Sequence, residues 1–283
     1  MKKFELWHGD CLELMKNIPD GSVDLVLTDP PYGTTACKWD SVIPFEPMWE
    51  QLNRVIKPNG AICLFGSEPF SSALRMSNIK HFKYDWIWEK TRSTGHVHAK
   101  NMPMKKHEII SVFSNGSMGH ASLLSEKRMV YNPQGIIFNP HERGGGTRKF
   151  GGVYGKRPSH KERYVQEASN YPSSILKFAC ECKYHSTQKP VALLEYLIST
   201  YTNEGETVLD FTAGSMSTVI ACINTNRNCI AIEKDEHYFS VGCERVHNHI
   251  LDNNIDLCYN QVCGGVCLWQ SSKTEQVKDM VGF

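Results

Sequence analysis

Apolar positions change their period several times along the chain, and each change marks an element. Phe4-Glu5-Leu6-Trp7-His8 alternates as a half-buried strand does, and residues 23–27 form a compact apolar run of the buried-strand kind. Between them, Asp10 is placed to cap a short helix over 11–16. Met48, Trp49, Leu52, Val55 and Ile56 recur at helical spacing, which predicts an amphipathic helix over 46–57 ended by Pro58-Asn59-Gly60. Residues 61–65 read as another buried strand, 69–76 as a helix, and 84–88 and 109–113 as strands. From about 114 to 183 the long apolar periods give way to Gly, Ser, Asn, His and basic residues. Regularity returns at Pro190, a first-turn position of a helix whose Val191, Leu194, Leu197, Ile198 and Tyr201 share one face. A strand over 207–211, a helix over 217–223, a strand over 229–233 and a helix over 236–250 follow. Strands that alternate with helices predict βαβ units and a parallel sheet covered on both faces. The tail beyond Asn253, with Cys258, Cys263, Cys267, Gly264-Gly265 and a polar run over 271–278, has no assigned role.

Composition narrows the class. A chain of 283 residues suits one sizeable domain with an inserted or appended piece. Net charge is only +1, so the distribution of charge says more than its sum. No apolar run approaches the roughly 18 residues of a membrane span, and no apolar signal region follows the N-terminus. The eleven cysteines are scattered through predicted strands and helices, as in Cys63 and Cys222, which reads as reduced thiols in a cytoplasmic protein. Cys180-Glu181-Cys182 and the tail cysteines form no zinc pattern, and His96 and His98 lack a third ligand at suitable spacing, so no metal is expected.

Two loops carry the candidate chemistry. Asp29-Pro30-Pro31-Tyr32 directly follows the apolar run 23–27, at the carboxyl end of a strand where α/β sheets collect ligands. The two prolines remove N–H donors and leave an acceptor-rich edge, the Asp29 carboxylate and the Pro30 carbonyl. An exocyclic amine such as N6 of adenine offers two donors to that edge, and Tyr32 offers a face on which a planar base stacks. The second loop, Asp210-Phe211-Thr212-Ala213-Gly214-Ser215, also follows a strand and opens a helix. Gly214 permits close backbone approach, and the helix N-terminus favours a carboxylate. About twenty residues further on, Glu233 ends the next strand, where a carboxylate accepts both ribose hydroxyls.

With these motifs stand His8-Gly9-Asp10-Cys11, Thr28 before the first loop, Asn53-Arg54-Val55-Ile56-Lys57-Pro58-Asn59-Gly60, and His185-Ser186-Thr187-Gln188-Lys189-Pro190. Over residues 3–250 the chain resembles the beta group of DNA amino-methyltransferases, in which the catalytic motif precedes the cofactor motif, and it is similar to compact methylases of bacterial viruses and prophages. The resemblance implies an α/β, Rossmann-like, S-adenosylmethionine-dependent methyltransferase fold, circularly permuted, with a seven-stranded, mostly parallel sheet. Residues 1–114 would be the catalytic half, 115–184 an inserted target-recognition region, 185–252 the cofactor-binding half of the same domain, and 253–283 a tail. Asp29, Pro30, Pro31 and Tyr32 are the implied catalytic residues. Asp10 would accept from the adenine amino group of S-adenosylmethionine, and Glu233 would hold its ribose. Asp29, Asp210, Phe211, Gly214 and Ser215 would line the methionine side, with Thr187 and Lys189 near the carboxylate. The strand over 4–8 would lie beside the strand that ends in Glu233.

The chain departs from the family at Met216, which stands where a second glycine is usual. A side chain there either crowds the cofactor or imposes a torsion that Met disfavours. Between 115 and 184, eleven basic side chains stand against five acidic ones among glycines and tyrosines, a composition suited to phosphate and groove contact. Arg143, Arg148, Lys149, Lys156 and Arg157 there, with Lys90 and Arg92 on a second basic edge, are the candidate DNA contacts. The implied partner is double-stranded DNA, with no membrane, pairing into a homodimer, and action in the cytoplasm of a bacterial or phage-infected cell. Methylation of adenine N6 is the leading reading because Asp, not Ser, precedes Pro-Pro-Tyr. Methylation of cytosine N4, an RNA or protein amide substrate, and a weakened DNA-binding relic are the alternatives.

Overall fold

A computed structural model describes residues 3–35, 40–119, 127–143, 164–181, 183–184, 187–262 and 266–270. In chain order the first half holds β1 (Lys3–His8), α1 (Cys11–Leu14), β2 (Val23–Thr28), α2 (Phe45–Val55), β3 (Ile56–Gly66), α3 (Phe70–Ser77), β4 (Phe82–Thr94) and β5 (Lys105–Phe113). Next come β6 (Ile137–Arg143), β7 (Tyr164–Ser169), β8 (Ile175–Phe178), α4 (Val191–Tyr201), β9 (Thr207–Asp210), α5 (Ser217–Asn224), β10 (Asn228–Glu233), α6 (Glu236–Asp252), β11 (Cys258–Val262) and β12 (Val266–Gln270).

One sheet takes ten of these strands in the order β11-β12-β1-β10-β9-β2-β3-β5-β4-β8. The run from β1 to β3 is parallel throughout, and only β5 and β12 point the other way. The sheet is therefore mostly parallel, as expected, but longer than the seven strands implied. Those seven lie between β1 and β4, and β8 extends one edge while the β11–β12 pair extends the other. β1 lies beside β10 in register Phe4↔Cys229 to His8↔Glu233, the pairing expected of two segments far apart in sequence.

Side-chain alternation sends each strand's residues to two cores. Leu25, Leu27, Cys63 and Phe65 meet α4, α5 and α6 on one face, with Leu197, Ile198, Val219 and Val246 opposite. Val26, Ile62, Leu64 and Leu209 meet Met48, Trp49, Leu52 and Leu74 of α2 and α3 on the other. Burial on both faces is why Val23, Leu25, Val26 and Leu27 of β2 are all apolar, whichever way they point. Trp269 of β12 is buried in the first core, so the tail completes the sheet edge.

One boundary differs from expectation. Helix α2 stops at Val55, and Pro58-Asn59-Gly60 lies inside β3 rather than ending the helix. Pairing with β2 jumps from Val23↔Ile56 to Leu25↔Ala61, so the extra residues form a bulge. Gly60 is needed there because a Cβ would come within 2.6 Å of the Asp24 carbonyl oxygen.

Residues 133–173, with β6 and β7 paired antiparallel, form a separate compact unit, narrower than the span 115–184. The flanking stretches belong to the main unit, where β8 pairs with β4. Among the described residues, no helix is long and apolar enough to cross a membrane.

Candidate active site

The carboxyl ends of β1, β2, β9 and β10 surround a cleft of about 520 Å³. This lies within the range typical of small-molecule sites. Tyr32 and Gly214, far apart in sequence, both line it. Hydrogen bonds join the two loops directly. Thr212 Oγ1 donates to the Asp29 carbonyl at 3.1 Å and lies 2.9 Å from Thr28 Oγ1, which itself donates to the Asp210 carboxylate.

Asp29 is the centre of the acceptor side. Its carboxylate accepts from the Tyr32 hydroxyl and from the Lys189 ammonium. Burial pushes the Asp29 carboxyl above the usual range, the Lys189 charge opposes this, and the Glu108 charge adds to it. The Tyr32 ring stacks on Phe70 with centroids 5.1 Å apart. Burial, then the Asp29 charge, holds the Tyr32 hydroxyl well above its ordinary value, so it stays a donor.

Lys189, implied to lie near the cofactor carboxylate with Thr187, lines the same cleft and donates to the Thr187 carbonyl at 3.3 Å. Its side chain, 8% exposed, pairs with Asp29, and its Nζ lies 3.4 Å from Glu108 Oε2 and 5.2 Å from the Phe65 ring centroid. Burial alone would lower its pKa, but the two carboxylates raise it, so it remains an ammonium. The expectation for Lys90 is corrected. It turns inward, 15% exposed, and pairs with Glu108 Oε1 at 2.5 Å instead of facing DNA. Glu108 was not among the candidate residues; its one sequence signal is a carboxylate directly before the apolar run Ile109–Phe113.

Glu233 and Asp10 shape the opposite wall. Glu233 accepts from the Gly214 N–H at 2.6 Å and the Asp235 N–H at 2.8 Å, which binds the glycine turn to the end of β10. Each oxygen keeps a lone pair for a further donor. Burial raises the Glu233 carboxyl. Asp10 caps α1 through the Leu12 N–H at 3.0 Å and pairs with Lys234 at 3.1 Å. Thr187, Phe211 and Ser215 also line the cleft.

Asp210, buried at the cleft floor, is a tie between elements. It accepts from Thr28, from Thr218 at 2.5 Å and from the Thr212 N–H at 3.2 Å, joining β9 to β2 and α5. Burial pushes its carboxyl up to about 6 despite these bonds. An unfolded aspartate ionises near 3.9, so between about pH 4 and pH 6 the folded state keeps a proton that the unfolded state has lost. Stability from this group therefore falls as pH rises through that window, by up to about 3 kcal/mol. Denaturant unfolding near pH 4 and near pH 7 should show the wild type losing this amount relative to Asp210→Asn; matching pH dependences would contradict it.

Met216 does not crowd the cleft. Its backbone is left-handed, φ +61°, as the torsion reading anticipated, while its side chain is fully buried against Gly242 of α6. A Cβ on Gly242 would come within 2.4 Å of Met216 Cγ, so the missing Gly242 side chain makes the room that Met216 fills.

Arg92 and Arg143 are exposed, Arg143 on β6 in the separate unit. Arg148, Lys149, Lys156 and Arg157 lie outside the described residues, as do His185 and Ser186. His96 and His98 sit in an exposed turn, and no cluster of three or more potential metal ligands occurs among the described residues.

A mostly parallel sheet flanked by helices, with both loops at the carboxyl ends of its strands, defines the class: a Rossmann-like α/β fold. The chain belongs to the N6/N4 DNA methylase family, whose model matches residues 23–244. It is 25% identical to the Type II methyltransferase M.HpaI of Haemophilus parainfluenzae, covering 90% of this chain and 79% of that protein. It is 29% identical to the DNA adenine methyltransferase YhdJ of Escherichia coli, covering 84% and 81% respectively. Among solved structures, the M1.HpyAVI complex with S-adenosylmethionine aligns with TM-score 0.55 and 24% identity over 85% of this chain and 98% of that one. The cytosine-N4-specific PvuII methyltransferase aligns with TM-score 0.61 and 17% identity over 88% and 87%.

Proposed function

We propose that this enzyme transfers the methyl group of S-adenosylmethionine to N6 of an adenine flipped out of duplex DNA. The observation that carries the reading is the single cleft in which the Asp29–Tyr32 loop faces the Gly214–Glu233 cradle, with Thr212 joining them. S-adenosylmethionine, when bound, supplies the electrophilic methyl. Glu233 accepts from the ribose hydroxyls and Asp10 from the adenine amino group, while the Gly214 turn leaves room for the methionine side. Asp29 and the Pro30 carbonyl orient the substrate amine, and Tyr32 stacks the extruded base. Stacking and phosphate contacts offset the few kcal/mol of unstacking. No covalent enzyme intermediate is needed, and positioning in a water-poor cleft supplies most of the rate. The curated relative named as an adenine methyltransferase supports N6 over N4. Mass analysis of nucleosides from duplex DNA treated with enzyme and S-adenosylmethionine should yield N6-methyladenine; N4-methylcytosine would reassign the base, and no methylated base would reject the activity.

The basic insertion 115–184, including the unit 133–173, is the proposed sequence reader, supported by its excess of cations. Arg143→Ala is expected to weaken binding to all duplexes alike and to reduce the salt slope by about one unit. A loss confined to one sequence would make Arg143 a base reader instead. Dimerisation rests on the family resemblance, and light scattering on the purified protein tests it.

A further inference from the structure

Asp29 poses a problem for the proposed reaction. One of its oxygens is taken by the Tyr32 hydroxyl and the other by the Lys189 ammonium. Each oxygen keeps a second lone pair, but the ammonium on Asp29 Oδ2 draws off the charge that would hold a substrate amine. Lys189 is 8% exposed, so leaving Asp29 without a new partner would leave a buried charge uncompensated. A second carboxylate stands next to it. Glu108 Oε2 lies 3.4 Å from Lys189 Nζ, and a shortening of about 0.6 Å brings that pair to charge-assisted hydrogen-bond distance. The other oxygen, Oε1, is anchored by Lys90 at 2.5 Å, so Glu108 cannot swing away. The Phe65 ring lies 5.2 Å from Lys189 Nζ, where the face of a ring attracts a cation.

We propose that Glu108 is a positioning residue that takes over the Lys189 ammonium when the substrate amine engages Asp29. Two carboxylates, Asp29 and Glu108, face two ammoniums, Lys90 and Lys189. The exchange therefore moves no net charge into or out of the buried cluster. In the resting enzyme Lys189 keeps the Asp29 carboxylate compensated. In the substrate complex Lys189 tightens onto Glu108, and Asp29 accepts from the amine. No proton is transferred and no bond is made by this exchange. The inference rests on the methyl-transfer reading and names a residue outside both motif loops.

The test is single-turnover methyl transfer to duplex DNA by the full-length enzyme, with cofactor and DNA affinities measured in parallel. Glu108→Gln leaves Lys189 only Asp29 as a charged partner and should slow transfer by about 100-fold, with both affinities within about twofold of wild type. Glu108→Asp keeps the charge but draws it back, and should recover part of the rate. It also carries the test if Glu108→Gln fails to fold. Wild-type rates in both variants, a parallel fall in cofactor affinity, or an Asp variant no faster than the Gln variant would overturn the proposal. A wild-type enzyme that transfers no methyl to duplex DNA would overturn the activity itself, an outcome separate from any difference between the variants.

Discussion

Asp29→Ala is expected to reduce methyl transfer by about 10²–10³-fold or more while S-adenosylmethionine still binds, because the acceptor for the amine is lost and the opposite wall is untouched. The cradle that would hold the cofactor, Glu233 with the Gly214 and Asp235 amides, makes no bond to the Asp29 carboxylate. Lys189, by contrast, loses its nearer carboxylate and keeps Glu108 at 3.4 Å and the Thr187 carbonyl at 3.3 Å. Breaking a buried ion pair costs about 3–5 kcal/mol, and the substituted site, partly open to the cleft, should lose less. Thermal melting must therefore accompany the kinetics. Single-turnover transfer of a labelled methyl group reads the chemical step, and calorimetry reads cofactor binding. Near-normal transfer would remove Asp29 from the mechanism; loss of cofactor binding in a folded variant would place it on the cofactor side instead.

Replacing Met216 should cost stability and leave cofactor affinity unchanged, and the choice of replacement separates two opposing effects. Met216→Ala removes a fully buried side chain from the space beside Gly242 and should cost about 2–5 kcal/mol. Met216→Gly removes the same packing but relieves the left-handed torsion at φ +61°, which costs a non-glycine residue about 1–2 kcal/mol. The glycine variant should therefore be more stable than the alanine variant by about that amount. Urea unfolding of the three proteins measures the order. A glycine variant less stable than the alanine variant would mean that the torsion carries no strain. Tighter cofactor binding on either substitution would return Met216 to the cleft.

The regular elements were legible because their signals are local. The runs of β2, β9 and β10 are short and mostly apolar, and they end at the cleft, β2 and β9 in the proline and glycine loops and β10 in Glu233. The bulge at 57–60 was not, because Pro-Asn-Gly is the same punctuation after a helix and within a strand that bends over Asp24. The terminal strand pair was not legible, because Asn260 and Gln261 break the apolar pattern ahead of Gly264-Gly265 and obscure its hairpin signal. Lys90 read as a surface cation because basic residues usually are; its partner Glu108 comes from the neighbouring strand, and only strand pairing sets Trp88 opposite Glu108 and so brings Lys90 near.

By itself the amino-acid order determined the alternation of strands and helices, the two loops and the chemical types within them, since these depend on residues a few positions apart. Tertiary structure alone decided which way the long side chains point: Lys189 to Asp29 and Glu108, Lys90 inward, Met216 away from the cleft and into the space left by Gly242. A flexible side chain takes the direction in which its charge finds a partner or its methylenes find a void, and those partners and voids exist only after distant strands have been laid side by side.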